Sequence, residues 1–256
     1  MHKSIPQGVV DIVIPVCNGY PYTRTLLEGV YRYADLPFHL YVIDNASSDE
    51  TADLPKIYTR DITVVRNREN RGWYAGINQG LELGHSPTVV FMSNDVEVSQ
   101  GWLGGLVGFL QSHPRIGAVG PLGSNPGDWQ CVDRVREKLV PQIPHFLTED
   151  LHERNRILAH HFHRAGILVE GVLAFFCAAL QRRAVNAVGA LDEECEDADD
   201  DYCRRLRKAG YVLGLSLDTY VLHHSNGVHQ PAEFAERRES RRPAAARHRE
   251  KHSQQF

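Results

Sequence analysis

The sequence predicts one α/β domain built on a mainly parallel sheet with helices on both faces. Three observations carry this. Short β-branched runs alternate with helical patterns through the first half, which is how βαβ crossovers appear in sequence. The strands are nearly continuous in apolar residues, as strands covered on both faces must be. Polar residues cluster directly after three of them, at Asn18, at Asp44 with Asn45, and at Asn94 with Asp95. In an open parallel sheet, ligands bind beyond the carboxyl ends of the strands.

Residues 9–16, VVDIVIPV, form the first strand. Residues 23–34 repeat apolar side chains at helical spacing (Leu26, Leu27, Val30) and form the first helix. The second strand, 39–47, ends in polar turn residues. A third strand covers 61–67, and a short helix covers 75–84 with Gly84 as its stop. Residues 88–95, TVVFMSND, are a fourth strand, 101–113 a helix and 116–121 a fifth strand. Between 123 and 164 the pattern loosens into a loop at 123–130 and a polar helix over 148–165. The longest apolar run, 166–180, carries Glu170 and two glycines, so it reads as a core strand or a strand pair. A helix follows it. Residues 197–225 give another helix, a strand at 211–216 and another at 219–224. The chain then turns basic and polar, which places a domain over 1–227 and a polar tail over 228–256.

Composition narrows the function. The 256 residues carry a formal net charge of −4, which argues against a general nucleic-acid binder. The five cysteines show no CxxC pairing, so small buried thiols in a reduced cytoplasmic protein are expected, not a disulfide framework or a zinc site. The N-terminus lacks a signal-peptide pattern, and no apolar run reaches the roughly 18 residues of a membrane span. Any membrane contact is therefore expected to be peripheral. Neither GxGxxG nor GxxxxGK[ST] occurs, so dinucleotide oxidoreductase and P-loop chemistry lose their main support.

Seven segments then occur in order: IPVCNG, YVIDNASSDET, NRENRGWYAGINQGL, SNDVEV, ALDEE, DDDYCRRLRKAGY and VLHHS. The series resembles the family 2 glycosyltransferases of the GT-A (Rossmann-like) fold, which are inverting and use nucleotide sugars. It covers about residues 9–225. The resemblance implies a nucleotide-binding half over about 9–122 and an acceptor-binding and catalytic half over about 123–227. The donor it implies is a UDP- or dTDP-linked sugar, and the acceptor a hydroxyl of a saccharide, a lipid-linked molecule or a small molecule.

The resemblance also assigns residues. Asp44 would accept the N3–H of the pyrimidine, a sound use of a carboxylate; an Asx turn made by Asp44 or Asn45 is the structural alternative. Pro15, Val16 and Asn18 would line the base, with core and turn roles the alternative for Val16. Asn70, Arg71 and Gly72 would lie along the nucleotide, with Asn94 beside them. Asp95 takes the last position of the family's Asp-x-Asp motif, where this sequence has Ser93 and Asn94 in the first two places. It would hold Mn²⁺ or Mg²⁺, and the phosphate oxygens of the donor would complete the shell. The second metal contact would be His223, with His224 as the alternative because neighbouring strand residues face opposite ways. Imidazole suits Mn²⁺ better than Mg²⁺. Glu97 would support the site structurally.

Aligned on DYCRRLRKAGY, the catalytic base falls on Asp199, and Ala198 replaces the family's glutamate; Asp197 is the alternative register. Asp201 would be structural. Asp128 and Trp129 are candidates for acceptor contact. The HHFH run at 160–163 reads as a solvated face, because His160 and His163 have no carboxylate partner at metal spacing. Two rival functions share the fold class. A sugar-nucleotide-forming nucleotidyltransferase would need a basic, glycine-rich loop after the first strand, where PVCNGYPYT has one glycine and no lysine. A non-catalytic nucleotide-sugar-binding module would draw support from Ser93 and Ala198.

Overall fold

The computed structural model describes residues 8–124, 130–132, 150–195 and 197–224. In chain order these form β1 (Val10–Val16), α1 (Tyr20–Tyr33), β2 (Phe38–Asp44), α2 (Leu54–Ile57), β3 (Ile62–Arg66), α3 (Trp73–Leu83), β4 (Thr88–Met92), β5 (Val96–Glu97), α4 (Trp102–Ser112) and β6 (Ile116–Leu122). There follow α5 (Leu151–Phe162), β7 (Gly166–Val169), β8 (Cys177–Gln181), α6 (Arg182–Val188), α7 (Ala198–Lys208), β9 (Val212–Tyr220) and β10 (Leu222–His223). Asp128, Trp129 and the basic tail lie outside the described residues.

The main sheet has the strand order β3-β2-β1-β4-β8-β6-β9-β7. Strands β3, β2, β1 and β4 are mutually parallel, and β6 pairs parallel with β9. The sheet therefore has the predicted parallel body, with two departures: the edge strand β7 runs antiparallel to β9, and one strand inside the sheet is also antiparallel to its neighbours. β8 enters antiparallel between β4 and β6, so the fifth strand of the sequence does not neighbour the fourth. The apolar run at 166–180 is indeed a strand pair, β7 and β8. The two strands expected at 211–216 and 219–224 are mostly one, β9, whose register against β6 shifts between Gly120 and Leu122.

Alternation along β1 explains both covered faces. Ile12 and Ile14 pack into a cluster with Leu26, Leu27 and Val30 of α1 and with Leu103, Leu106 and Leu110 of α4. Val13 faces the other way, toward Ile77 of α3 and Tyr202 and Leu206 of α7. At the amino end of the strand, buried Asp11 is bonded by the Ser86 N–H and hydroxyl and paired with Arg182 at 2.8 Å. All five cysteines are free thiols. Among the described residues no helix is long and apolar enough to cross a membrane.

Glycine sets how closely α3 lies on β1. A Cβ on Gly76 would sit 2.7 Å from the Pro15 Cβ, and one on Gly80 would overlap Val13. Gly76→Val should therefore lower stability by about 1–3 kcal/mol, the usual cost of overpacking. The expected result is a lower urea midpoint with an unchanged m-value; an unchanged midpoint would show that α3 can slide outward freely.

Candidate active site

The carboxyl ends of β1, β2, β3 and β4 carry the residues singled out in the sequence. At the end of β1, Asn18 (φ 60°) and Gly19 (φ 77°) are both left-handed and turn the chain into α1. Asparagine tolerates that conformation better than most side chains. The Asn18 side-chain oxygen accepts the Ser48 N–H at 2.7 Å, and its own N–H donates to the Ser47 hydroxyl at 2.8 Å. Asn18 thus staples the first loop to the second. Pro15 and Val16 are not at this rim. Pro15 lies under Gly76, and the Val16 side chain is in the core.

Asp44 ends β2 and is 1% exposed. Its Oδ1 accepts the Ser47 N–H at 2.8 Å, three residues on, a local cap of the loop and not an Asx turn, which closes two residues on. Its Oδ2 is ion-paired with Arg66 at the end of β3, the residue level with it in register. Sequence reading passed over Arg66, although a cation closing an apolar strand beside Asp44 was a signal. Asn45 donates to the Gly72 carbonyl at 3.1 Å and accepts from Asn67 at 2.8 Å, tying the second loop to the start of α3. Gly72 has φ +91°, a conformation that favours glycine, and its N–H is capped by the Asn70 side chain at 2.9 Å. Arg71 is exposed and lies 3.9 Å from Glu193. Asn94 is turned inward and donates to Thr23 Oγ1 at 2.9 Å and to the Asn18 carbonyl at 3.3 Å.

Beyond β4 the chain forms β5, which pairs antiparallel with β10. This two-strand ladder brings His223 Nε2 within 3.2 Å of Asp95 Oδ1. His224 turns the other way, onto Glu97 at 2.7 Å and against the Tyr22 ring. Phe176 stacks on His223, with centroids 4.7 Å apart and planes at 13°. Its carbonyl accepts the Ser93 N–H at 2.8 Å. The preceding residue, Phe175, donates its N–H to Asp199 Oδ2 at 2.9 Å. One short segment before β8 therefore touches Ser93, His223 and Asp199. Buried Gln130 supports it by accepting the Ala174 N–H at 2.7 Å. Neither phenylalanine had a signal in the sequence beyond its apolar character.

Asp199 is in the first turn of α7. Asp201, 6% exposed, is paired with Arg205 at 2.7 Å. Asp200 faces Arg204 at 3.6 Å, and Asp197 is exposed. Burial, and then the nearby charge of Asp199, push the Tyr74 phenol well above its ordinary pKa, so it stays neutral beside Asp199. His160, His161 and His163 are exposed. A cleft of about 570 Å³ between Tyr33, Gln100 and the start of α5 involves none of these candidate residues.

Among the described residues no three His, Cys, Asp or Glu side chains gather as a metal cage. Asp95 and His223 nonetheless fit a divalent cation. Neighbouring donors on an octahedral ion at about 2.1 Å are about 3 Å apart, close to the 3.2 Å between Oδ1 and Nε2. One oxygen and one nitrogen leave most of the shell to ligand oxygens.

The sequence model of the family described as "Glycosyl transferase family 2" matches residues 11–188. Glycosyltransferase AglE of Haloferax volcanii is 26% identical over 108 residues, 40% of this chain and 35% of that protein. A PGL/p-HBAD biosynthesis glycosyltransferase of Mycobacterium bovis BCG is 25% identical over 88 residues, 33% of this chain and 34% of that protein. The matched part thus spans about a third of the length of these relatives. Among solved structures, the mannosyltransferase PcManGT of Pyrobaculum calidifontis, in complex with GDP-Man and Mn²⁺, superposes with a TM-score of 0.62 at 20% identity, over 85% of this chain and 57% of that one. GalNAc-T7 with UDP, GalNAc and Mn²⁺ gives 0.62 at 14% identity, over 85% and 44%. The fold is that of the GT-A glycosyltransferases.

Asp49 provides a pH test of the loop that Asn18 staples. Burial favours its neutral form, but the Thr51 side chain and then the N–H groups of Tyr20 and Thr51 outweigh this and hold its pKa below the ordinary value. Because the folded pKa is the lower one, its stabilisation is present above the unfolded value of about 3.9 and fades as pH falls through the folded value. Asp49→Asn removes the charge and one of the two oxygens that accept the Tyr20 and Thr51 N–H groups, and should cost about 1 kcal/mol at pH 7. Urea titrations should show that difference closing below about pH 4; a pH-independent difference would contradict the assignment.

Proposed function

This chain belongs to glycosyl transferase family 2, and from that premise we propose that it moves a sugar from a UDP- or dTDP-linked donor to an acceptor hydroxyl, with inversion at the anomeric carbon. The acceptor is a saccharide, a lipid-linked molecule or a small molecule. The reading is carried by one observation: Asp95 and His223, far apart in sequence, meet beyond the carboxyl end of β4, a strand of the sheet that also bears Asp44, with Asp199 joined to them through Phe175 and Phe176.

In this reading Asp44 accepts the N3–H of the base. Asn18, Asn70, Arg71 and Gly72 border the nucleotide, and residues 9–122 form its half of the domain. Pro15, Val16 and Asn94 contribute from behind, by placing Gly76, the core and the Asn18 loop. Asp95 and His223 would hold Mn²⁺ or Mg²⁺, which would supply Lewis-acid stabilisation of the diphosphate charge. Mn²⁺ in both superposed complexes supports manganese. Asp199 takes the proton of the acceptor hydroxyl as its oxygen bonds to the anomeric carbon and the bond from that carbon to the diphosphate oxygen breaks. The Phe175 N–H orients the carboxylate for this. Asp128 and Trp129 are assigned to acceptor contact.

Donor hydrolysis tests the proposal. With Mn²⁺ the wild type should release nucleoside diphosphate slowly, and Asp95→Ala should lose about 10²–10³ of that rate, as when one electrostatic stabiliser is removed. Normal Mn²⁺-dependent turnover in Asp95→Ala would refute the metal site. Asp199→Asn should lower transfer to an acceptor by about 10²–10⁴ while calorimetry shows donor binding unchanged. A wild type that binds donors but never turns them over would be a binding module.

A further inference from the structure

Arg66 stands level with Asp44 at the neighbouring strand end. Its guanidinium donates to Asp44 Oδ2 and, at 2.7 Å, to the Ser47 carbonyl. The two side chains are unequally covered: Asp44 is 2% exposed and Arg66 49%. A ring that approaches the carboxylate must therefore meet the guanidinium beside it. The carboxylate already takes the Ser47 N–H and Arg66. An ionised carboxylate has about four acceptor sites, and a guanidinium has five donors, so each has capacity for one more partner.

Side by side, the pair offers an acceptor next to a donor. Its complement is a ring N–H next to a ring carbonyl. Uracil and thymine present that edge at N3 and its flanking carbonyls. Cytosine puts a lone pair at N3, which meets the carboxylate with like polarity. A site whose buried polar groups would be left unpaired rejects the wrong ligand strongly.

We propose that Arg66 determines base specificity: while Asp44 accepts the N3–H, Arg66 donates to the carbonyl beside it and so selects uracil or thymine over cytosine. This rests on the base-reading role of Asp44 proposed above. The side chain holds its place through the Ser47 carbonyl, which fixes the guanidinium plane before the base arrives.

The test is calorimetric binding of UDP, 2-thio-UDP, 4-thio-UDP and CDP with Mn²⁺ to the wild type, Arg66→Gln, Arg66→Met and Asp44→Asn, with folding checked by circular dichroism. Sulfur is a poor acceptor, so one thio analogue should bind the wild type roughly tenfold more weakly than UDP. In Arg66→Gln that penalty should vanish and the preference for UDP over CDP should shrink. A retained penalty would overturn the proposal, as would tighter UDP binding in Arg66→Gln, which would mean that Arg66 only covers Asp44. If Arg66→Gln does not fold, Arg66→Met decides, because methionine keeps much of the apolar stem but donates no hydrogen bond; an undiminished penalty there would overturn the proposal. The two layers separate cleanly. If the wild type does not prefer UDP to CDP and Asp44→Asn changes nothing, the base reading by Asp44 fails and Arg66 falls with it. If Asp44→Asn removes the preference but Arg66→Gln keeps the thio penalty, only the Arg66 assignment fails.

Discussion

The site depends on the pairing of β5 with β10. It is a ladder two residues long, Leu222 opposite Glu97 and His223 opposite Val96, extended by the His224 N–H to the Asp95 carbonyl at 3.0 Å. It joins residues 127 positions apart in the chain. Strand alternation then sorts the two histidines, sending His223 to Asp95 and His224 to Glu97. A slip of one residue would exchange them. The register is held from outside the ladder: the Val221 N–H donates to the Leu122 carbonyl at 2.9 Å, and Ser124 bonds both the N–H and the C=O of His223.

Each carboxylate at the sheet edge has a partner whose chemistry suits a different task. Asp44 is beside a guanidinium, which keeps its protons at any relevant pH, so that pair always presents an acceptor and a donor. Asp95 is beside an imidazole, whose ring nitrogen is a common metal donor. Asp199 receives a backbone N–H, which orients a carboxylate without adding a full opposing charge. Phe175 and Phe176 link the last two, so packing in the core segment before β8 is transmitted directly to both.

What the sequence revealed, and what it hid, follows from how local each feature is. Strands β1 to β4, helices α1 and α3 and the polar turns after the strands were legible because each is a short periodic pattern. The antiparallel entry of β8 was not. Residues 166–180 are apolar whether they pair with β4, β6 or each other, and only tertiary packing settles it. The seven ordered motifs pointed to Asp95, His223 and Asp199; in the structure the first two lie 3.2 Å apart, and Asp199 accepts the N–H of Phe175, the neighbour of the Phe176 ring that stacks on His223. Arg66 escaped because its pairing with Asp44 comes from register between two strands, not from any motif. Val16 and Pro15 sit at the right strand end, but burial turns them away from the rim.

The meeting of Asp95 with His223 also has a thermodynamic side. A cation clasped between them would close one very long loop of chain, and closure entropy grows only as the logarithm of loop length while being largest for long loops. The same bond that aligns a diphosphate would thus restrain the far end of the described chain against the centre of the sheet. In that sense donor and metal would act as a removable cross-link.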